Sequence, residues 1–267
     1  MACTGRADQT LQIFGNATSL SHGRSTTLAA LYDAAFGQLS QHYRNEYVFK
    51  SAVLASFHGR TNFVDEFRVG ASIVDMACVE GDSAVAYEIK TGLDSTRRLA
   101  TQTNDYLRVF DKVYVVADPI WTSRCVHLLD SRVGIIMLLA DGTLELNRPA
   151  LSNRKRVDPS AVFSCMRRDE YMSAVAELAG MQPAMPSTLI YDHHESIFRN
   201  FSPDAAHGAL VRALFGRCNE PRRLDFIQRL PPSLRAVGCA TPLSGKQRGN
   251  LLNLLVQPLQ QSSLFRS

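Results

Sequence analysis

The residues that could do chemistry gather in one stretch, Ser72 to Tyr106. Ser-Ile-Val-Asp75 opens an apolar run that continues to Val79. Glu80-Gly81-Asp82-Ser83 interrupts it, and a second run from Ala84 ends in Tyr87-Glu88-Ile89-Lys90. Turn residues between two strand-like runs predict an antiparallel hairpin. Side chains alternate across a strand, so Glu88 and Lys90 share one face while Val85, Tyr87 and Ile89 take the other. That predicts one packed face and one charged face. Asp75 stands between Val74 and Met76, and a carboxylate among apolar neighbours needs a partner. Two carboxylates beside an ammonium suit a hard divalent cation, because Mg²⁺ takes one or two carboxylates and leaves its other positions to water and phosphate oxygens. The lysine would face the charge that builds on a phosphodiester. The chemistry expected is phosphodiester hydrolysis.

Several elements must position these groups. Thr91-Gly92-Leu93-Asp94-Ser95 predicts a loop ending in a helix cap, and Leu99, Thr103, Tyr106, Leu107 and Phe110 trace the buried stripe of the helix. Gln102 and Tyr106, one turn apart, look from one ridge toward the hairpin. Arg97 and Arg98 bring positive charge suited to phosphates. Lys112 to Ala117 is a near-continuous apolar strand, and a right-handed crossover pairs it parallel to the second hairpin strand. Asn62 to Gly70 predicts a preceding strand that carries Glu66 as a candidate supporting acid, with Gly70 allowing the turn. Thr26 to Tyr43 has helical spacing. Asn45 caps a second helix, on which Glu46 shares a face with Phe49, Val53 and Phe57. Glu46 is either an acid with a functional reason to sit there or a first-turn carboxylate favoured by the helix dipole.

An Asp on one strand, Glu-X-Lys on the next and a helix with Gln-X-X-X-Tyr together resemble the PD-(D/E)XK nuclease superfamily, over roughly Asn45 to Val116. Val74 stands where that motif expects proline. Gln102-Thr-Asn-Asp-Tyr106 resembles the element of the RecB-type exonuclease branch. The run Tyr87-Glu-Ile-Lys-Thr-Gly-Leu-Asp-Ser-Thr-Arg-Arg-Leu99, followed by Phe110-Asp-Lys-Val-Tyr-Val-Val116, resembles a family of bacterial PD-(D/E)XK-like proteins without an established substrate. The resemblance implies an α/β, restriction-endonuclease-like fold, with a mixed central sheet flanked by helices. It implies Asp75 and Glu88 as metal ligands, Glu46 as a further acid reaching the metal directly or through water, and Lys90 as electrostatic catalyst. Gln102 and Tyr106 would be supports, and Mg²⁺ or Mn²⁺ the cofactor. The implied partner is nucleic acid, DNA ahead of RNA, in bacterial defence or mobile-element biology. One rival is a nuclease-derived module that grips nucleic acid or protein without cleaving. Another makes the C-terminal helices a docking surface for a protein partner.

The rest of the chain sets bounds. Its 267 residues are 45% apolar and 20% charged, which excludes a disordered chain and supplies a sizeable core. The longest apolar run, Ile135 to Ala140, is too short to span a bilayer, and no membrane partner is expected. Six cysteines without a Cys-X-X-Cys pair, and a beginning without an apolar signal core, predict reduced thiols in a cytoplasmic protein. A net charge of +4 permits nucleic acid without demanding it. Residues 1–25, rich in Ser, Thr, Gly and Asn, read as a mobile arm, 26–150 as the nuclease-like core and 151–267 as an all-helical appendage. Within the core, Thr122 to Asp130 reads as helix and Gly134 to Leu139 as a strand that turns at Asp141-Gly142. Arg154, Lys155 and Arg156 form a basic cluster that could meet a nucleic-acid backbone. In the appendage, helical spacing marks Tyr171–Ala179, Leu189–Phe201, Pro203–Arg217, Arg222–Leu230 and Leu243–Val256. His193-His194-Glu195 is not read as a zinc site, because adjacent residues diverge on a helix.

Overall fold

Six strands pair in the order in which the chain makes them. The computed structural model describes residues 27–58, 63–92 and 94–258; the expected mobile arm lies outside the described residues. Helices α1 (Leu28–His42) and α2 (Glu46–Ser56) precede the sheet. β1 (Val64–Val69), β2 (Ser72–Glu80) and β3 (Ser83–Lys90) form an antiparallel meander. After α3 (Leu99–Leu107), β4 (Lys112–Ala117) runs parallel to β3. After α4 (Pro119–Cys125), β5 (Gly134–Leu138) runs parallel to β4, and β6 (Leu144–Arg148) returns antiparallel. The architecture is therefore mixed α/β, a six-stranded sheet flanked by helices. Helices follow to the end of the described chain: α5 (Pro159–Ser164), α6 (Arg168–Ala179), α7 (Ile190–Phe198), α8 (Pro203–Cys218), α9 (Pro221–Arg229), α10 (Pro232–Ala240) and α11 (Gly245–Leu255).

Local chemistry explains most of the boundaries. The two tight turns of the meander use Gly70 and Gly81 at φ of +58° and +61°, a region where a Cβ is disfavoured. Asn45 caps α2 by accepting from the Val48 amide at 3.2 Å, as the sequence predicts. α3 starts at Leu99, later than the expected cap at Ser95, because the Ser95 hydroxyl accepts from the Arg97 amide in a preceding turn. The helix expected over Thr122 to Asp130 is α4 followed by a 3₁₀ turn at Val126–Leu128. α10 was not legible: Pro231-Pro232 reads as a break, yet proline is well suited to a first helical turn.

β3 is buried along its whole length, on both faces. This corrects the expectation of one packed and one charged face. The strand lies between β2 and β4; α8 packs over β1, β2 and β3, and α3 over β2 and β4. Glu88 and Lys90 are therefore interior residues.

The chain divides into two compact units, and not at residue 150. One unit is built from the described parts of Arg60–Leu139 together with Thr143–Glu220. The other takes the described parts of Met1–Gly59 and Pro221–Ser267 together with Ala140–Gly142. In the first unit, Ala206, Ala209, Leu210, Ala213 and Leu214 of α8 share one hydrophobic core with Ala77, Val79, Ala84 and Ala86 of the sheet. The expected C-terminal helices are present, and those from α5 to α8 share the core of the sheet unit. In the second unit α10 packs against α1, α2 and α9, and the Tyr47 hydroxyl donates to the Ser233 carbonyl.

A buried histidine should give the first unit a pH dependence. His207 of α8 accepts the Ala84 amide proton on Nε2 at 3.2 Å, which leaves the ring proton on Nδ1. Burial, reinforced by the Arg154 charge, holds its pKa below the usual histidine value. The unfolded chain takes up this proton near pH 6.5 while the folded chain resists it, so stability falls as pH drops below about 6.5. His207→Gln keeps an acceptor for the Ala84 amide and removes the titration. We expect its melting temperature to change less than wild type between about pH 7 and pH 5. An unchanged slope would mean that His207 does not set it.

Candidate functional site

β2 and β3 part company where the candidate residues begin. The hairpin pairs Glu80 with Ser83 and continues to Met76↔Tyr87; one step further would set Asp75 across from Glu88. Instead, Asp75 Oδ2 accepts the Ile89 amide proton at 2.6 Å, so a side-chain carboxylate replaces a ladder carbonyl. On its other side, Asp75 lies between the β1–β2 pairs Asp65↔Met76 and Phe67↔Val74. The intervening Glu66 sits at φ +51°, a strained conformation for a side chain of its size. Past the fork, the Tyr106 hydroxyl reaches the Ile73 carbonyl at 2.6 Å.

Glu88 lies beneath this fork, 1% exposed. Its Oε1 accepts from Lys90 Nζ at 2.6 Å, and its Oε2 lies 2.8 Å from the Tyr106 hydroxyl. The hydroxyl has one proton to share between Glu88 and Ile73. Burial, with the negative charges of Glu88 and Asp75 behind it, pushes the Tyr106 pKa far up and keeps that proton in place. Lys90 also reaches Gln102 Oε1 at 3.3 Å. Gln102 and Tyr106 therefore act from one ridge of α3, as their i, i+4 spacing predicts. The cluster brings Asp75, Glu88, Lys90, Gln102 and Tyr106 together at the carboxyl end of β3.

Other candidates fall elsewhere. Glu46 belongs to the second unit; its side chain is 54% exposed and pairs with Lys50 at 2.7 Å, one turn along α2. It is thus a first-turn carboxylate with a local partner and not an acid on a buried face. Glu66 is exposed on edge strand β1. Arg97 and Arg98 are exposed just before α3. Of the basic cluster, Lys155 and Arg156 are exposed, whereas Arg154 is engaged within the fold: Nη2 meets Asp82 Oδ2 at 2.8 Å and the Asp82 carbonyl at 2.6 Å. His194 is a core residue, with Nδ1 against the Ile190 carbonyl at 2.7 Å.

Three participants escaped sequence reasoning. The Ile89 amide and Ile73 carbonyl are backbone groups without any residue signature. Asp105, beside Tyr106 on α3, accepts from the Ser72 hydroxyl at 2.6 Å and fastens the start of β2 to the helix. Beyond Lys90, Asp94 Oδ2 accepts from both the amide (2.6 Å) and the hydroxyl (2.8 Å) of Thr91, which shapes the exit of β3.

The donor set can be tested against a hard cation. Asp75 and Glu88 are carboxylates of the class Mg²⁺ and Mn²⁺ take, and two such ligands suffice when water and phosphate complete the shell. Among the described residues no group of three ligand side chains converges. A cation at Glu88 would share its oxygens with the Lys90 ammonium on Oε1 and the Tyr106 hydroxyl on Oε2.

The family model of the Bacteriophage P4 protein cII family matches residues 40–230, more than half of the chain. The chain belongs to that family. No curated protein sequence matches it. Among solved structures, a protein of unknown function from Silicibacter pomeroyi is similar over 42% of this family member and 75% of its own chain. The two are 16% identical, with a TM-score of 0.34.

Proposed function

We propose that the chain is a nuclease that hydrolyses phosphodiester bonds of nucleic acid, DNA ahead of RNA, with Mg²⁺ or Mn²⁺. The observation that supports this most is the convergence of Asp75, Glu88, Lys90, Gln102 and Tyr106 at a strand fork with a strained residue beside it. Asp75 and Glu88 would hold the cation, which when bound supplies an activated water and offsets phosphate charge. Lys90 is the positive group that would meet the charge growing on the phosphate, and Gln102 holds its ammonium from the α3 side. Tyr106 keeps Glu88 and β2 in place. The family's description names a bacteriophage protein, which supports a setting in mobile-element biology.

A second reading, a nuclease-derived binding module, draws on the enclosure of Glu88, whose two oxygens are already engaged by Lys90 and Tyr106. Asp75→Asn separates the two. The amide oxygen can still accept from Ile89, so folding should survive, while a ligand charge is lost. We expect cleavage of labelled linear, circular and single-stranded DNA in Mg²⁺ or Mn²⁺ to fall at least about 100-fold, with unchanged melting. If wild type cleaves no substrate with either ion and still binds it, the binding-module reading stands instead.

A further inference from the structure

The net charge of the chain is concentrated at one end. Residues 221–267 contain seven Lys and Arg against a single acid, Asp225, whereas residues 60–220 contain 18 Lys and Arg against 21 Asp and Glu. The sheet unit is thus mildly acidic. It has no cationic surplus of its own to grip a polyanion, despite the basic cluster at Arg154 to Arg156.

The fold holds these cations on a firm support. Gly238 of α10 lies so close to α9 that an added Cβ would fall 2.4 Å from Leu230 Cδ1 and 2.9 Å from Ile227 Cδ1. The Arg248 guanidinium of α11 stands 5.6 Å from the Phe226 ring centroid on α9. Arg223 donates to the Cys239 carbonyl, and Arg235 Nε donates to the Leu230 carbonyl at 3.1 Å. Asp225 meets Arg229 at 3.6 Å, and both side chains are well exposed, so screening leaves little of that pairing. Arg222, Arg229 and Lys246 are exposed.

We propose that the helices α9 to α11 form a binding surface for the phosphodiester backbone of nucleic acid. The inference goes beyond the proposed cleavage and holds whether or not the Asp75–Glu88 cluster cuts. An anionic membrane fits less well on α9, where Phe226 and Ile227 are buried; Val237 of α10 and Leu254 of α11 are exposed, so the test includes a membrane. Exposed Asn250 and Asn253 on α11 supply amide donors of the kind that meet phosphate and sugar oxygens.

The test uses the full chain and fluorescent single- and double-stranded DNA in a salt titration from about 50 to 200 mM. Each lost phosphate contact removes about 0.9 from the slope of log K against log salt. The triple variant R222E/R229E/K246E should flatten that slope by about 3 and weaken binding at least about 30-fold at the lower salt. R222Q/R229Q/K246Q should weaken it less, with wild-type melting, which guards against a folding defect. The pair K155E/R156E in the other unit should change binding less than about threefold. The proposal is overturned if wild type binds no DNA, or if the glutamine triple binds as wild type does. It is overturned equally if the K155E/R156E pair proves the more damaging. Wild type binding phosphatidylserine vesicles or poly-glutamate as tightly as DNA would reassign the surface to a membrane or an acidic protein.

Discussion

Lys90→Met is expected to cost the fold about 3–5 kcal/mol, because it strips the ammonium from a carboxylate that is almost wholly enclosed. Glu88 is 1% exposed and Lys90 8%, and the two groups meet at 2.6 Å. A solvated pair would lose under about 1 kcal/mol on the same change. The double variant Lys90→Met/Glu88→Leu should recover most of the loss, since apolar residues of similar volume replace a buried ion pair with little penalty. In that variant the Tyr106 hydroxyl retains the Ile73 carbonyl as acceptor. Urea unfolding followed by circular dichroism measures all three proteins. A single variant as stable as wild type would show that the ion pair is open to water and that the site is less enclosed than described.

Asp111→Ala should be about as damaging. The Asp111 carboxylate is 2% exposed and accepts four hydrogen bonds: from the Ser83 hydroxyl (2.7 Å), the Ser152 hydroxyl (2.5 Å) and the amides of Asn153 and Arg154 (3.0 Å each). It thereby ties the β2–β3 turn to the start of β4 and to the segment that leads into α5. Alanine leaves the two hydroxyls and the Arg154 amide to find new partners, while the Asn153 amide keeps the Asp111 carbonyl at 2.8 Å, and we expect a loss of about 3–5 kcal/mol, with Asn losing roughly half as much. Burial alone would raise the Asp111 pKa, but the hydrogen bonds from Ser152, Ser83 and the Arg154 amide outweigh it and hold it below the usual value. A lowered carboxyl pKa contributes stability above the unfolded value, near 3.9, that is lost as pH falls through the folded one. The Ala and Asn variants should therefore lose less stability than wild type on acidification below about pH 4. Equal acid sensitivity would remove Asp111 from that account.

Much of this arrangement was legible because it follows from period and turn chemistry. Alternation along Ala84 to Lys90 puts Glu88 and Lys90 on one side, Gly81 marks the reversal, and a four-residue step sets Gln102 beside Tyr106. What the sequence does not encode locally was missed. Nothing in Val74-Asp75-Met76 signals that the ladder will open there and that Asp75 will spend an oxygen on the Ile89 amide. Apolar spacing marks α8 as a helix but not that its stripe belongs to the sheet, whereas α1 and α2 group with the C-terminal helices. Arg154 reads as a surface cation because its partner, Asp82, lies 72 residues away in sequence. Glu46 reads as an inward acid because a helical wheel assigns faces without knowing that Lys50 will turn inward beside it.

The strand order has a consequence for how the chain is made. Every strand pairs with the one synthesised just before it, so the sheet can extend as the ribosome delivers it, without waiting for a distant partner. Its cover is slower to arrive. α8 begins on the order of a hundred residues after β3 ends, which at translation rates of about 5–20 residues per second leaves roughly 5–20 s of delay. During that interval the face formed by Ala77, Val79, Ala84 and Ala86 lacks the Leu210 and Leu214 side chains that share its core in the finished protein. The nascent chain is therefore most exposed to aggregation, and most in need of a chaperone, between the completion of β3 and the emergence of Cys218.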